Sequence, residues 1–178
     1  MERLFHSRFR RRLFAHVYPC KILEIGVGTG RNLAYYPEGA DITAIDLSPA
    51  MLERARARAG SRRVDFHEMD AQALEFPDDC FDIVLATFVF CSVPDPVLGL
   101  LEAYRVCKPT GKLLLVEHVR PERRLLGRVF DQLNPVVRRF LGPEINRRTV
   151  QNVRLAGWMI TTVEDLASDI VKLVIAVP

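Results

Sequence analysis

The sequence predicts a doubly wound α/β sheet, and three observations lead there. Strand-length apolar runs alternate with helix-patterned segments from residue 21 to residue 117. The first run feeds a turn with glycine at every second position, Gly26-Val27-Gly28-Thr29-Gly30. The second and third runs end in carboxylates, Asp46 and Asp70. In such a sheet ligands bind in the crevice beyond the carboxyl ends of the strands, which is where these residues fall.

Each element has its own warrant. Residues 2–16 interleave arginines with Leu4, Phe5, Phe9, Leu13 and Phe14, a spacing that puts the apolar groups on one helical face, and Pro19 limits the helix. Packing against the body is the plainer expectation for that face; capping a site or lying on a membrane are the alternatives. Residues 21–26 form the first strand. A helix follows the glycines as far as Tyr36 and stops at Pro37-Glu38-Gly39. Residues 41–46 are the second strand. Ser48 stands where an N-cap is wanted, Pro49 at the first helical position, and Gly60 at the end. Residues 64–69 are the third strand. Residues 81–86 are the fourth, almost continuously apolar, as burial on both faces requires. A helix over 94–106 closes at Lys108-Pro109-Thr110-Gly111, and 112–117 is the fifth strand. Residues 121–141 read as a basic helix kinked at Pro135 and ended by Gly142 and Pro143. Residues 149–156 form a short helix stopped by Gly157, and strands over 158–166 and 169–177 are close enough to pair as a hairpin.

At 178 residues, 49% hydrophobic and 26% charged, the chain fits one domain with one core. The expected division is an N-terminal helix over 1–19, a cofactor core over 20–120, acceptor-side helices over 121–157 and a terminal strand pair over 158–178. No apolar run reaches the roughly 18 residues that span a bilayer. The arginine-rich first twelve residues lack the apolar core of a secretory signal. Cys20, Cys80, Cys91 and Cys107 have no CxxC spacing and fit buried free thiols in a reducing compartment, so a cytoplasmic protein is expected. Net charge is only +3, but residues 1–16 carry +4 and 120–148 carry +5, against −5 over 17–119. The basic ends fit an anionic partner, either a membrane surface or an acidic substrate, and equally well solvated helix faces.

The glycine turn lets the backbone approach a ligand that a Cβ would block and aims N–H groups at it. Asp46 lies 20 residues after Gly26 and can accept from ribose hydroxyls. Asp70, with Ala71 and Gln72, can accept from an adenine amine, and Leu47 and Met51 offer apolar faces to the ring. The spacing is not the GxGxxG of pyrophosphate binders, and Glu24 before the first glycine is a poor neighbour for a pyrophosphate. That acid suits a cofactor carrying an ammonium, as the methionine half of S-adenosylmethionine does.

The stretches Leu-Glu-Ile-Gly-Val-Gly-Thr-Gly, Ile-Asp-Leu-Ser-Pro-Ala-Met-Leu, Met-Asp-Ala-Gln, Phe-Asp-Ile-Val and Arg-Val-Cys-Lys-Pro-Thr-Gly-Lys together resemble the class I S-adenosylmethionine-dependent methyltransferases. Within them the chain looks like the quinone-biosynthesis C-methyltransferases and bacterial phospholipid N-methyltransferases. Tyr36-Pro37, Cys91-Ser92-Val93 and Glu117-His118-Val119 are also similar to thiol methyltransferase-like proteins. The resemblance covers residues 20–120 and is loose beyond them. It implies a seven-stranded Rossmann-like sheet with the last strand antiparallel. It also implies S-adenosyl-L-methionine as cofactor and S-adenosyl-L-homocysteine as product. It implies that the turn Gly26, Val27, Gly28, Thr29 and Gly30 holds the methionine end, Asp46 the ribose, Asp70 and Ala71 the adenine, and Thr87 and Phe88 the methionine amino end; Glu24, Asn32, Leu47, Ser48, Met51 and Gln72 complete the expected cofactor residues. No metal is implied.

Methyl transfer needs a general base only when the nucleophile must lose a proton. His118 and Glu117 are the candidates, and a structural role is the alternative for His118. The acceptor is expected to be a small lipophilic molecule or lipid (a phospholipid amine, quinone precursor or thiol), with anionic membrane contact as a further expectation. Its pocket is expected to be built from the N-terminal helix, Phe88–Val93 and residues 118–150, with Arg123, Arg124, Arg128, Arg138, Arg139, Arg147 and Arg148 at the rim; solvated helix ends are the alternative for the arginines of 121–139. Nucleic acid is not expected, because Ala-Thr-Phe-Val-Phe-Cys-Ser-Val after the fourth strand lacks the Asn/Asp-Pro-Pro-aromatic stretch that holds a base amine. A non-catalytic cofactor-binding module and a nicotinamide oxidoreductase are the other readings.

Overall fold

A computed structural model describes residues 2–121, 127–130, 132, 134 and 146–178, with side chains from residue 7 onward. Among these residues seven strands form one sheet: β1 (Lys21–Ile25), β2 (Asp41–Asp46), β3 (Asp65–Glu68), β4 (Phe81–Thr87), β5 (Cys107–His118), β6 (Met159–Ala167) and β7 (Val171–Val177). They lie in the order β3-β2-β1-β4-β5-β7-β6. Neighbours from β3 to β5 run parallel, and β7 is antiparallel to both β5 and β6. The expected reversed last strand is therefore present.

Alternation along the strands splits the core between two faces. On one face Leu23, Ile25, Val84, Ala86, Leu113 and Leu115 pack against α3 (Pro96–Val106) and α4 (Thr149–Leu155). On the other, Ile22, Ile83, Leu85, Leu114 and Val116 meet Phe9, Leu13 and Phe14 of α1 (Glu2–Phe14). β4 is buried from both sides, which is why its sequence is almost continuously apolar. The apolar stripe of α1 is thus core, as the plainer expectation had it. Arg12 at its far end pairs with Glu164 of β6 at 3.0 Å.

Several local expectations are corrected. Only one 3-10 turn, Leu33–Tyr35, follows the glycines. The short distance to Pro37, which has no N–H to continue a helix, leaves room for little more. Ser48 occupies the N-cap position of α2 (Pro49–Ala59), but its side chain makes no capping bond. Its backbone N–H instead donates to Asp46 Oδ1 at 2.9 Å. α3 starts at Pro96 rather than 94, because Asp95 caps it, accepting from the amides of Val97 and Leu98 at 3.0 and 3.1 Å. β5 starts directly from α3, since Cys107 already pairs with Phe81; the Lys108–Gly111 segment makes an irregularity in register before Lys112 pairs with Ile83. Cys91 and Cys107 are buried, but Cys20 and Cys80 are partly exposed, because each stands just before a strand rather than inside it. Residues 127–130, 132 and 134 are helical. The predicted kink at Pro135, the stops at Gly142 and Pro143, and Arg123, Arg124, Arg138 and Arg139 lie outside the described residues.

β6 and β7 form the expected hairpin, turning through Ser168 and Asp169 at φ of 42° and 64°. Trp158, at the entry to β6, locks the hairpin to α3: it is 3% exposed, and its indole N–H donates to the Leu100 carbonyl at 3.0 Å. Tyr104 meets its ring edge-on at 5.2 Å. Replacing Trp158 with Ala is expected to cost about 3–5 kcal/mol of unfolding free energy in urea titration. Trp158→Phe keeps part of the ring and removes the indole donor from a carbonyl that α3 already employs, for a smaller loss of about 0.5–1.5 kcal/mol from the hydrogen bond.

Candidate active site

A cavity of about 640 Å³ opens at the carboxyl ends of β1, β2 and β4. Gly26, Val27, Gly28, Thr29, Asn32, Asp46, Leu47, Ser48, Met51, Asp70, Ala71, Thr87, Phe88 and His118 all line it. Glu24, Gly30, Gln72 and Glu117 do not, and each sits behind the lining in a specific way.

The turn is pinned from both sides. Val27 N–H donates to the Ile45 carbonyl at 2.9 Å and Gly28 N–H to Asp46 Oδ2 at 2.8 Å. Gly26 has φ of 67°, and a Cβ there would stand 2.4 Å from Val89 Cγ2, so the turn and the loop after β4 touch backbone to side chain. Gly28 has φ of 54°, and a Cβ there would meet nothing within 4 Å. That open space is a cradle for a ligand at main-chain distance. Gly30 lies at the back, against Leu33 and Ala55 of α2.

The carboxylates of β2 and the loop after β3 are already oriented. Asp46 accepts from Gly28 and Ser48, one amide per oxygen, and each oxygen retains a lone pair for a ribose hydroxyl. Beside it Leu47 is 67% and Met51 37% exposed, large apolar groups at a cavity rim as an adenine ring requires. Asp70 accepts from the backbone and side-chain amides of Gln72 at 2.9 and 3.2 Å. Gln72 Oε1 accepts from Asp95 N–H at 2.9 Å, so Gln72 braces Asp70 against the start of α3.

Glu24 is buried beneath the turn, its oxygens accepting from Asn32 Nδ2 at 2.7 Å and Tyr36 O–H at 2.8 Å. Burial, opposed by those two bonds, pushes its pKa up to about 7. Asn32 also donates to Thr87 Oγ1 at 3.0 Å and accepts from Arg10 Nε at 2.7 Å. The acid therefore reaches the cavity through Asn32.

Across β4, Glu117 is fully buried and holds the next loop. Its Oε1 accepts from the amides of Val89 at 2.7 Å and Phe90 at 3.1 Å, while Oε2 has no partner among the described residues. Desolvation outweighs those bonds and raises its pKa to about 7. Phe88, in the same loop, is held at φ of 59°, a strained conformation for a side-chain-bearing residue, and its ring lies on His118 with centroids 4.6 Å apart. His118 faces the cavity, and Glu117 faces the loop backbone.

The sequence points to the N-terminal helix and to Phe88–Val93 as walls of an acceptor pocket; of these Arg10, Val89, Ser92 and Val93 line the cavity, together with Arg31 and Pro94, which it does not single out. Arg10 was legible in principle: it is one helical turn before Phe14, so it borders the buried stripe of α1. Val89 to Pro94 continue the loop after β4, and nothing in their types distinguishes lining from core.

Residues 23–115 match a family model described as a methyltransferase domain. The chain belongs to that methyltransferase family. The chain is 38% identical over 126 residues to the phosphatidylethanolamine N-methyltransferase of Cereibacter sphaeroides, covering 67% of this chain and 62% of that protein. It is 38% identical over 143 residues to the demethylmenaquinone methyltransferase of Thermus thermophilus, covering 76% and 65%. The chain thus spans less than two thirds of either relative's length. Among solved structures, the [4+2]-cyclase SpnF superposes with a TM-score of 0.75 at 27% identity, over 94% of this chain and 60% of that one. S-adenosylmethionine is the cofactor of this methyltransferase family, and the open cradle at Gly28, the strand-end Asp46 and the exposed Leu47 and Met51 fit it. The nicotinamide alternative falls with family membership.

Gly28→Ala is expected to weaken S-adenosylhomocysteine binding by about tenfold or more in calorimetry, its methyl occupying the cradle. Holding alanine at positive φ costs stability by only roughly 1–2 kcal/mol. Gly26→Ala, which collides with Val89, should instead show its loss in thermal unfolding.

Glu24 and Glu117 also make a pH prediction. Both pKa values are raised on folding, so the folded chain holds protons that the unfolded chain has released between about pH 4.5 and 7. Stability therefore falls as pH rises through that window, by at most about 1.4 kcal/mol per pH unit for each group. Denaturant titrations of Glu117→Gln should show a shallower fall than those of the natural chain.

Proposed function

We propose that the chain transfers a methyl group from S-adenosylmethionine to a small lipophilic acceptor, a phospholipid amine or a quinone precursor. One observation carries the reading: the cavity that holds the donor cradle is also lined by the apolar side chains of Phe88, Val89, Val93 and Pro94 and by the imidazole of His118. The two relatives support it, since a phosphatidylethanolamine and a demethylmenaquinone share a hydrocarbon tail and a compact reactive head.

When bound, the cofactor supplies an electrophilic methyl group on a sulfonium, which a nucleophile takes by in-line displacement. The chain's share is position and dryness. Asp46 and the Gly26–Gly30 turn fix the donor. Glu117, through the amides of Val89 and Phe90, fixes the loop whose side chains wall the acceptor end. His118 stands on the lining with its ring braced by Phe88, where it can take a proton from a ring carbon or an amine. For Cys91, burial pushes the thiol up to about 12, which favours a packing role over a nucleophilic one.

Peripheral contact with an anionic membrane is a secondary part of the proposal. It rests on the basic charge of residues 120–148, because the apolar stripe of α1 is already used by the core. Among the described residues no helix is long and apolar enough to cross a membrane.

The test is transfer of labelled methyl from S-adenosylmethionine to phosphatidylethanolamine vesicles, to a demethylated naphthoquinol, and to a small thiol. Label in either of the first two supports the proposal, and His118→Phe should then lower turnover by roughly a hundredfold or more with cofactor affinity unchanged. Label in the thiol alone would move the acceptor class. Tight cofactor binding with no transfer to any of them would favour a binding module, or chemistry of another kind on the same fold.

A further inference from the structure

The cavity is polarised along its length. Asp46 and Asp70 stand at the end where Leu47 and Met51 offer apolar faces. The wall around Asn32 and Thr87 carries Arg10, from α1, and Arg31, from the segment after the glycine turn. Among the described residues no carboxylate lies within ion-pair distance of either arginine.

Arg10 is positioned rather than trailing in solvent. Its Nε donates to Asn32 Oδ1 at 2.7 Å, and Asn32 is itself fixed by Glu24 and Thr87. One helical turn later, Phe14 of the same helix is buried edge-on against Tyr36 with centroids 4.8 Å apart, and Tyr36 is bonded to Glu24. Both anchors hold the guanidinium at the cavity wall, and among the described residues its two Nη groups meet no protein acceptor. Desolvation, then the nearby charge of Arg31, lower the pKa of Arg10; Tyr35 and Glu24 act the other way. A half-buried cation facing a second cation gains from an anion placed between them.

The family cofactor has one anionic group. Its adenosine half is neutral and suits the end with Asp46 and Asp70. Its sulfonium and ammonium are cationic and gain nothing from two arginines. The α-carboxylate of the methionine half remains. We propose that Arg10 binds that carboxylate, so that α1 is a working wall of the donor site as well as a cover for the sheet. A planar guanidinium held through Nε presents its paired Nη groups to a carboxylate as a fork.

This inference rests on the cofactor reading, and the experiment separates the two. Calorimetry is run with S-adenosylhomocysteine and with its decarboxylated analogue S-adenosyl-3-thiopropylamine, which keeps the adenosine, thioether and ammonium. The natural chain should prefer the carboxylate-bearing ligand. Arg10→Gln should weaken S-adenosylhomocysteine on the order of 10- to 100-fold, the range for a lost charge-assisted pair, and leave the analogue unchanged. Arg10→Lys, which keeps the charge without the fork, should fall between. A preference that survives in Arg10→Gln, or an equal loss for both ligands, overturns the assignment of Arg10 while leaving the cofactor reading intact. A natural chain that binds neither ligand overturns both.

Discussion

A carboxylate buried without a cation in contact fixes the donor end of this protein. Glu24 closes β1 at 1% exposure, and removing such a group from water is costly unless each oxygen finds a donor. The two donors are Asn32 and Tyr36, and meeting them dictates how the chain leaves the glycine turn. The exit must fold into a single tight turn, Leu33–Tyr35, to bring both side chains back over the strand. Tyr36 then offers its ring to Phe14, and Asn32 offers its carbonyl to Arg10. The position of α1 thus descends from one acid on β1.

Glu117 repeats the device on the other side of β4, with backbone amides as donors. β1 and β4 are adjacent in the sheet, and the chain's winding reverses between them. A crevice opens at that switch point in doubly wound sheets, and here each wall of it is tied down by a buried acid. The walls also brace one another, because Val89 fills the space that a side chain at Gly26 would need. The strained Phe88 lies inside this arrangement, and two amides held by Glu117 follow it directly. Preorganisation of that kind suits a reaction in which the protein contributes mainly placement.

The fold was legible because its signals are local and repeated. Alternating strands and helices, glycines at positive φ and acids at strand ends each follow from a few neighbouring residues. The reversed β7 came from the resemblance, since two apolar strands at the end of a chain do not state their direction. Details that depend on competition between side chains were not legible. Ser48 had the residue type of a cap, but Asp46 already held its amide. Gln72 had the chemistry of an adenine partner, yet it braces Asp70 and the start of α3 from outside the cavity lining. Glu24 read as a group for an ammonium, while its two nearest partners are protein donors. Arg10 passed for one of many surface arginines because its value lies in a contact 22 residues away in sequence.

The two ends of the cavity are built from different kinds of chain, and that difference governs what the fold can be asked to do. The donor end rests on strand termini whose spacing the sheet sets, so substitutions there meet rigid backbone. The part of the cavity proposed for the acceptor is made of the loop after β4 and the residues at the end of β5, held by one buried acid. Proteins named for a phospholipid amine and for a demethylated quinone align with 67% and 76% of this chain, and a cyclase superposes on nearly all of it. On the proposed function, a scaffold that fixes the donor through buried carboxylates can take another acceptor through changes in loop side chains that line the cavity, without disturbing the network under the glycine turn. Arg147 links this loop to the basic stretch, since its Nη2 donates to the Val93 carbonyl at 2.8 Å.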